Sequence, residues 1–136
     1  MAADESGALV TGRLLTEDVD VHAVVDPGAP TGLLIKERRT AALRRVLLYC
    51  RDASTGSRLR PADLPGGLVE AADILYVTGI TLALSADAAV TVHAAVGRAA
   101  TSSTTVCLDV DHRSRPWTAE KTELALGEAP PGTVTR

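Results

Sequence analysis

An α/β fold is what this chain predicts, and three stretches carry the prediction. Asp73 to Ile80 and Thr104 to Val110 are apolar, β-branched runs of strand length. Between them, Ser85 to Ala99 sets Ala88, Ala89, Val92, Val96 and Ala99 along one side of a helix. Strand, helix and strand in that order form a βαβ unit, which implies parallel strands joined by a right-handed crossover. Upstream, Thr31 to Arg38 and Arg45 to Arg51 mix apolar and charged residues at nearly period 2. Joined by a loop near Thr40 to Leu43, they predict a hairpin that buries one face.

The remaining elements follow in chain order. Asp4 to Leu15 is weakly helical, with Leu9, Val10, Leu14 and Leu15 supplying an apolar side. Val19 to Val25 alternates as a short strand. Asp26-Pro27-Gly28-Ala29-Pro30 is a turn cluster, because Pro fixes φ and Gly permits positive φ. Ser54 to Arg60 reads as a polar loop. Pro61 and Asp63 mark a helix start that Gly66-Gly67 interrupts before Leu68 to Ala72. The run Asp73 to Ile80 suits a strand covered on both faces. Ser85 is an N-cap, Asp87 favours the dipole in the first turn, and Arg98 sits near the helix end. From Leu124 to Arg136 the chain is rich in Pro and Gly and is expected to fray. Residues 1–124 therefore make one domain and 125–136 a tail.

Composition narrows the function. One hundred and thirty-six residues, 46% hydrophobic and 23% charged, suit one globular domain. There is no Phe, and only one Trp and two Tyr, so Leu, Val and Ala must fill the core. A core with so few large anchors predicts modest stability. The formal net charge is -3, and basic residues cluster only at Lys36 to Arg39 and Arg44-Arg45. This balance argues against a nucleic-acid surface, which needs a basic face and usually stacking aromatics. No run is long enough to span a membrane, and the N-terminus is acidic rather than signal-like. Cys50 and Cys107 are expected to be reduced core thiols, with the cytoplasm as the default compartment.

Two groups of residues could carry chemistry. Tyr49 and Arg51, two apart in an extended run, share one face. Arg forks onto a carboxylate and a phenol bonds a hydroxyl, so the pair suits a hydroxylated acid; an edge strand turned to solvent gives the same pattern. Asp109-Val110-Asp111-His112-Arg113 ends an apolar run and is followed by Ser114-Arg115-Pro116-Trp117. In α/β sheets the carboxyl ends of strands are where ligands sit. There Asp109 and Asp111 could hold a cation and Arg113 could neutralise a phosphate. Equally, Asp111 could cap the next turn. His22 and His93 lack partners at metal-ligand spacing. Gly28, Gly56, Gly66, Gly67 and Gly79 form neither a Walker loop nor a dinucleotide fingerprint. Ser54 and Ser85 lack the glycine-flanked elbow of a hydrolase nucleophile.

Longer stretches carry a family resemblance. Gly28-Ala29-Pro30-Thr31-Gly32-Leu33-Leu34-Ile35-Lys36-Glu37-Arg38-Arg39, continuing through Tyr49, Arg51 and Ser54 to Ser57-Arg58-Leu59, resembles the ribokinase-like (PfkB) carbohydrate kinases. Within that family the closest likeness is to 2-keto-3-deoxygluconate kinases. Leu75 to Ser85 (LYVTGITLALS) is similar to the family's strand and turn before its crossover helix. Asp109 to Arg113 with Trp117 is similar to a further segment, usually Asp-Val-Asn-x-Arg followed by Leu-Trp. Together the likenesses cover Asp4 to Glu123.

The resemblance implies a Rossmann-like sheet with flanking helices and a β-hairpin lid fragment, here part of a larger ribokinase-like fold. It implies ATP-dependent phosphorylation of a sugar acid such as 2-keto-3-deoxygluconate, with ATP and Mg2+ as cofactors. Leu34, Tyr49 and Arg51 match substrate-binding positions, and Asp111 and Arg113 match positions near ATP and its phosphates. Leu34 stands where the family often has Tyr, Cys50 replaces a second Tyr, and Asp111 replaces Asn. The family's Gly-rich N-terminal strands and its Asp-Thr-x-Gly-Ala-Gly-Asp motif, with the catalytic base, do not occur in these residues. The chain alone is therefore expected to be inactive, with no catalytic residue of its own. Alternatively it is a non-catalytic remnant that binds a sugar acid or pairs with a full-length kinase. Exposed sheet surface is expected to favour self-association or a complementing kinase fragment as partner.

Overall fold

A computed structural model of the chain describes residues 1–36, 47–109 and 134–135. They fall in two compact units, Met1–Arg58 and Leu59–Arg136.

In the first unit, helix α1 (Glu5–Thr16) begins at Asp4, whose side chain accepts the Gly7 amide. Glu5 in the first turn and Arg13 in the last complement the helix dipole. Asp18, at φ 56°, takes the left-handed turn that ends the helix, and Val19 N–H bonds back to Leu14 O at 3.1 Å. Leu9, Val10 and Leu15 stay exposed.

The strand expected at Val19–Val25 is absent. A strand needs a neighbour for its amides and carbonyls, and among the described residues only Met1-Ala2 runs alongside. The ladder there is a single parallel bridge, Ala2 with Asp26, with Asp26 N–H bonded to Met1 O at 2.8 Å. The turn at Asp26 forms as expected, with Asp26 Oδ1 accepting the Gly28 amide at 2.8 Å.

Strands β1 (Leu33–Lys36) and β2 (Leu47–Cys50) make the expected antiparallel hairpin, in register Leu33 with Cys50, Leu34 with Tyr49, Ile35 with Leu48 and Lys36 with Leu47. All four β1 residues are exposed, so the expected burial of one face does not occur. Among the described residues no layer packs on β1 to bury that face. Cys50, expected in the core, is exposed for the same reason, while Cys107 is half-buried.

The second unit is built on a parallel sheet of order β3-β4-β5. Strand β3 (Ile74–Thr78) pairs with β4 (Thr105–Asp109) from Ile74 with Thr105 to Thr78 with Asp109. The apolar run read as one strand to Ile80 divides at Gly79. Gly79–Leu84 form a short helix, α2, and Ser85 then caps α3 (Ala86–Ala100) by accepting the Ala88 amide at 3.0 Å. Ala88, Thr91, Val92, Ala95 and Ala99 are the buried side of α3. The core joins Val69, Ala95, Ala99 and Val106, with Leu64, Leu75, Val77 and Val96 packed around them.

The helix expected from Pro61 is a single 3-10 turn, Pro61–Asp63, followed by hydrogen-bonded turns such as Ala71 N–H to Gly67 O. Pro65 has no amide donor and Gly66-Gly67 are too flexible to continue it. Strand β3 is not covered on both faces. Leu75 and Val77 pack inward, whereas Ile74 and Tyr76 are 62% and 59% exposed. Val134–Thr135, inside the stretch expected to fray, form β5 beside Cys107–Leu108 of β4; residues 125–133 lie outside the described residues.

Candidate functional site

The hairpin brings three of the expected residues together. Leu34 stands directly across from Tyr49 in the ladder, and paired residues share a face. Arg51, just past β2, lays its guanidinium carbon 4.7 Å from the centre of the Tyr49 ring. That is a cation–π stack, which orients the guanidinium plane without using its N–H donors. Tyr49 and Arg51 are half-buried and Leu34 is exposed. Leu33, Ile35, Leu48 and Cys50 form the opposite, apolar face.

The foot of the hairpin is tightly built. Ser54 is buried, its N–H bonds to Arg51 O at 3.1 Å, and Thr55 N–H bonds to Pro30 O at 3.0 Å. Any side chain at Gly32 would press on this turn, since a Cβ there would lie 3.2 Å from Ser54 Oγ and 3.4 Å from Arg51 Cγ. Ala53 adopts φ 56° within the turn.

In the second unit, polar groups gather at the carboxyl ends of β3 and β4, where the sequence placed Asp109. Tyr76 donates its phenol proton to Asp109 Oδ2 at 2.9 Å. Thr78, the ladder partner of Asp109, has its hydroxyl 3.4 Å from that of Thr81 in α2. Asp111 and Arg113, with His112 and Trp117, lie outside the described residues. Sequence reading missed Tyr76 as a polar partner because it sits inside an apolar run. It also missed that Asp4 reaches the hairpin: Asp4 Oδ1 accepts the Thr31 hydroxyl at 2.7 Å and Oδ2 accepts the Thr31 amide at 2.9 Å. Those bonds, led by the backbone one, hold the Asp4 carboxyl below its ordinary range. His22 lies 3.5 Å from Asp20 and is exposed. Among the described residues no three His, Cys, Asp or Glu side chains could hold a metal ion together, and no helix is long and apolar enough to cross a membrane.

No protein-family model matches the chain. Curated relatives do. A 2-dehydro-3-deoxygluconokinase of Thermoproteus tenax is 45% identical over 98 residues, 71% of this chain and 30% of the relative. A 2-dehydro-3-deoxygalactonokinase of Haloferax volcanii is 31% identical over 111 residues, 82% of this chain and 35% of the relative. Among solved structures, a PfkB family carbohydrate kinase of Listeria grayi superposes with TM-score 0.84 at 26% identity, covering 94% of this chain and 40% of that one. A Pyrococcus horikoshii sugar kinase solved in complex with ATP shares the fold, with TM-score 0.79 at 23% identity, over 94% of this chain and 42% of that one.

A parallel sheet with flanking helices, a separate β-hairpin and these superpositions define a ribokinase-like α/β protein. The chain belongs to the PfkB carbohydrate kinase family, and its curated relatives include sugar-acid kinases. It spans about a third of the length of those relatives.

Proposed function

We propose that this chain serves the ATP-dependent phosphorylation of a sugar acid of the 2-keto-3-deoxygluconate type and supplies the surface that receives the acid. The observation that carries the reading is the Arg51 guanidinium stacked on Tyr49, with Leu34 across the ladder. Arg51 forks onto the substrate carboxylate, the Tyr49 phenol bonds a substrate hydroxyl, and Leu34 packs on its carbon skeleton. Arg113 neutralises charge on the phosphoryl group as it passes from ATP to the acceptor hydroxyl, and ADP leaves. Such a transfer asks mainly for positioning and charge neutralisation.

ATP and Mg2+ are the cofactors of this reading. The ion would ride on the nucleotide phosphates, with Asp111 as a carboxylate able to join it. The reading assigns substrate binding to this chain, and no proton acceptor.

The test is calorimetric titration of the purified chain with 2-keto-3-deoxygluconate and with its galactonate epimer. Binding should weaken ~10- to 100-fold in Arg51→Ala, the worth of a charged hydrogen-bonded pair. Unchanged affinity in that variant overturns the assignment.

A second reading is favoured by the exposure of Ile74 and Tyr76 on the open face of the sheet. On it, the chain associates with itself or with a complementing segment of a sugar kinase, which buries that face. Sedimentation of the chain, alone and mixed with the Thermoproteus tenax enzyme, tests it: a single monomeric species in both cases rules it out.

A further inference from the structure

We infer that Asp4 is a positioning residue: by gripping Thr31 it sets the angle at which the hairpin bearing Leu34, Tyr49 and Arg51 leaves its unit. The inference rests on the reading of that hairpin as the sugar-acid surface, but it also has a readout that needs no ligand.

An N-cap requires one side-chain oxygen for one orphan amide. Asp4 meets that need with Oδ1 on the Gly7 N–H at 2.7 Å. It then makes two bonds more, to the hydroxyl and the amide of Thr31, a residue 27 positions away. Thr31 stands two residues before β1, so most of the carboxylate's bonding goes to the foot of the hairpin and not to the helix. The other leg is held from the same side, through Thr55 N–H on Pro30 O and the buried Ser54 turn. Below it, Arg58 braces the Asp26 turn, with Nε 3.1 Å from Asp26 Oδ2 and Nη1 bonded to Gly28 O at 2.9 Å.

Every β1 residue is exposed, as are Leu48 and Cys50. Among the described residues no layer covers β1, so the foot does much to set the direction of the hairpin. Leu34 lies three residues from Thr31, about 10 Å along an extended chain, so a tilt of about 6° at the foot moves it by about 1 Å. Misplacement of that size can cost up to ~100-fold in a reaction that depends on orientation. The same leverage acts on Tyr49, its ladder partner.

Three variants separate this role from simple capping. Asp4→Ser keeps a capping oxygen but cannot span to Thr31; Thr31→Val leaves the cap untouched and removes one bond; Thr31→Ser restores the hydroxyl. In Asp4→Ser and Thr31→Val, exchange of the amides that β1 and β2 bond across their ladder should quicken about 10-fold. The dissociation constant for 2-keto-3-deoxygluconate should rise about 10-fold, with α1 helicity and Tm nearly unchanged. Thr31→Ser should return both to the parent values. Faster exchange in a chain that binds no sugar acid would sustain the role of Asp4 and refute the proposed function instead. Exchange unchanged in Thr31→Val, or altered only in Asp4→Ser together with loss of α1, would overturn the inference and leave Asp4 a cap.

Discussion

Arg98 closes on Glu70 with two bonds, Nε to Oε1 at 2.6 Å and Nη2 to Oε2 at 2.7 Å, and Nη2 also reaches Pro65 O at 2.8 Å. One guanidinium thus ties α3 to the turns that precede β3. The bonds from Arg98 hold the Glu70 carboxyl at about 2, against an ordinary 4.5. A depressed carboxyl contributes stability that is complete above its unfolded value and fades as pH falls through the folded one. The parent chain should therefore be more stable than Glu70→Gln at pH 6, with the gap closing between about 4.5 and about 2. Urea titrations at pH 6 and pH 3 check this; a gap that widens in acid would contradict it.

Thr91 is 1% exposed, and its hydroxyl lies 3.0 Å from Leu59 O and 2.8 Å from Asp87 O. The second bond is the local back-bond of a helical Thr, but the first joins α3 to the segment before Pro61. Thr91→Val keeps the volume and strands the Leu59 carbonyl, at a cost of about 1–3 kcal/mol. Chemical denaturation should show a lower midpoint with an unchanged slope.

Ala53 holds φ 56° in the turn after β2, where a Cβ crowds the carbonyl. Ala53→Gly should relieve that crowding and stabilise the chain by about 1 kcal/mol. A drop in melting temperature would show that the turn is held by more than its own backbone preference.

Arg51→Lys retains charge but loses both the planar stack on Tyr49 and the fork. Sugar-acid affinity should fall by about 10-fold, an intermediate loss beside the truncation to Ala, as measured by titration calorimetry. Tyr49→Phe keeps the stack and should affect affinity less than Arg51→Lys does.

Ile74 and Tyr76 expose an apolar sheet face. Ile74→Lys places a charge there and should shift sedimentation toward monomer at high protein concentration. Parent and variant sedimenting alike would remove that face from any account of association.

Of the hairpin part of the candidate site, the Tyr49–Arg51 pair was legible because period 2 puts the two on one face. Leu34 was named through the family resemblance alone, and the register of the ladder sets it opposite Tyr49. Asp111 and Arg113, read from the strand end, lie outside the described residues. The Asp4–Thr31 connection could not be read, because nothing in a capping residue announces a second partner 27 positions on.

The elements whose causes are local were determined by the sequence itself. Asp4 and Ser85 cap their helices, the stripe of α3 faces the core, and β3 and β4 flank that helix in parallel. Tertiary structure decided the rest. It ended β3 at Thr78, gave Val19–Val25 no strand partner among the described residues beyond the short Met1-Ala2 segment, exposed Ile74 and Tyr76, and drew Val134–Thr135 against β4. Caps and helical stripes are satisfied within a few residues. A strand is satisfied only by another strand, whose presence the local sequence does not encode.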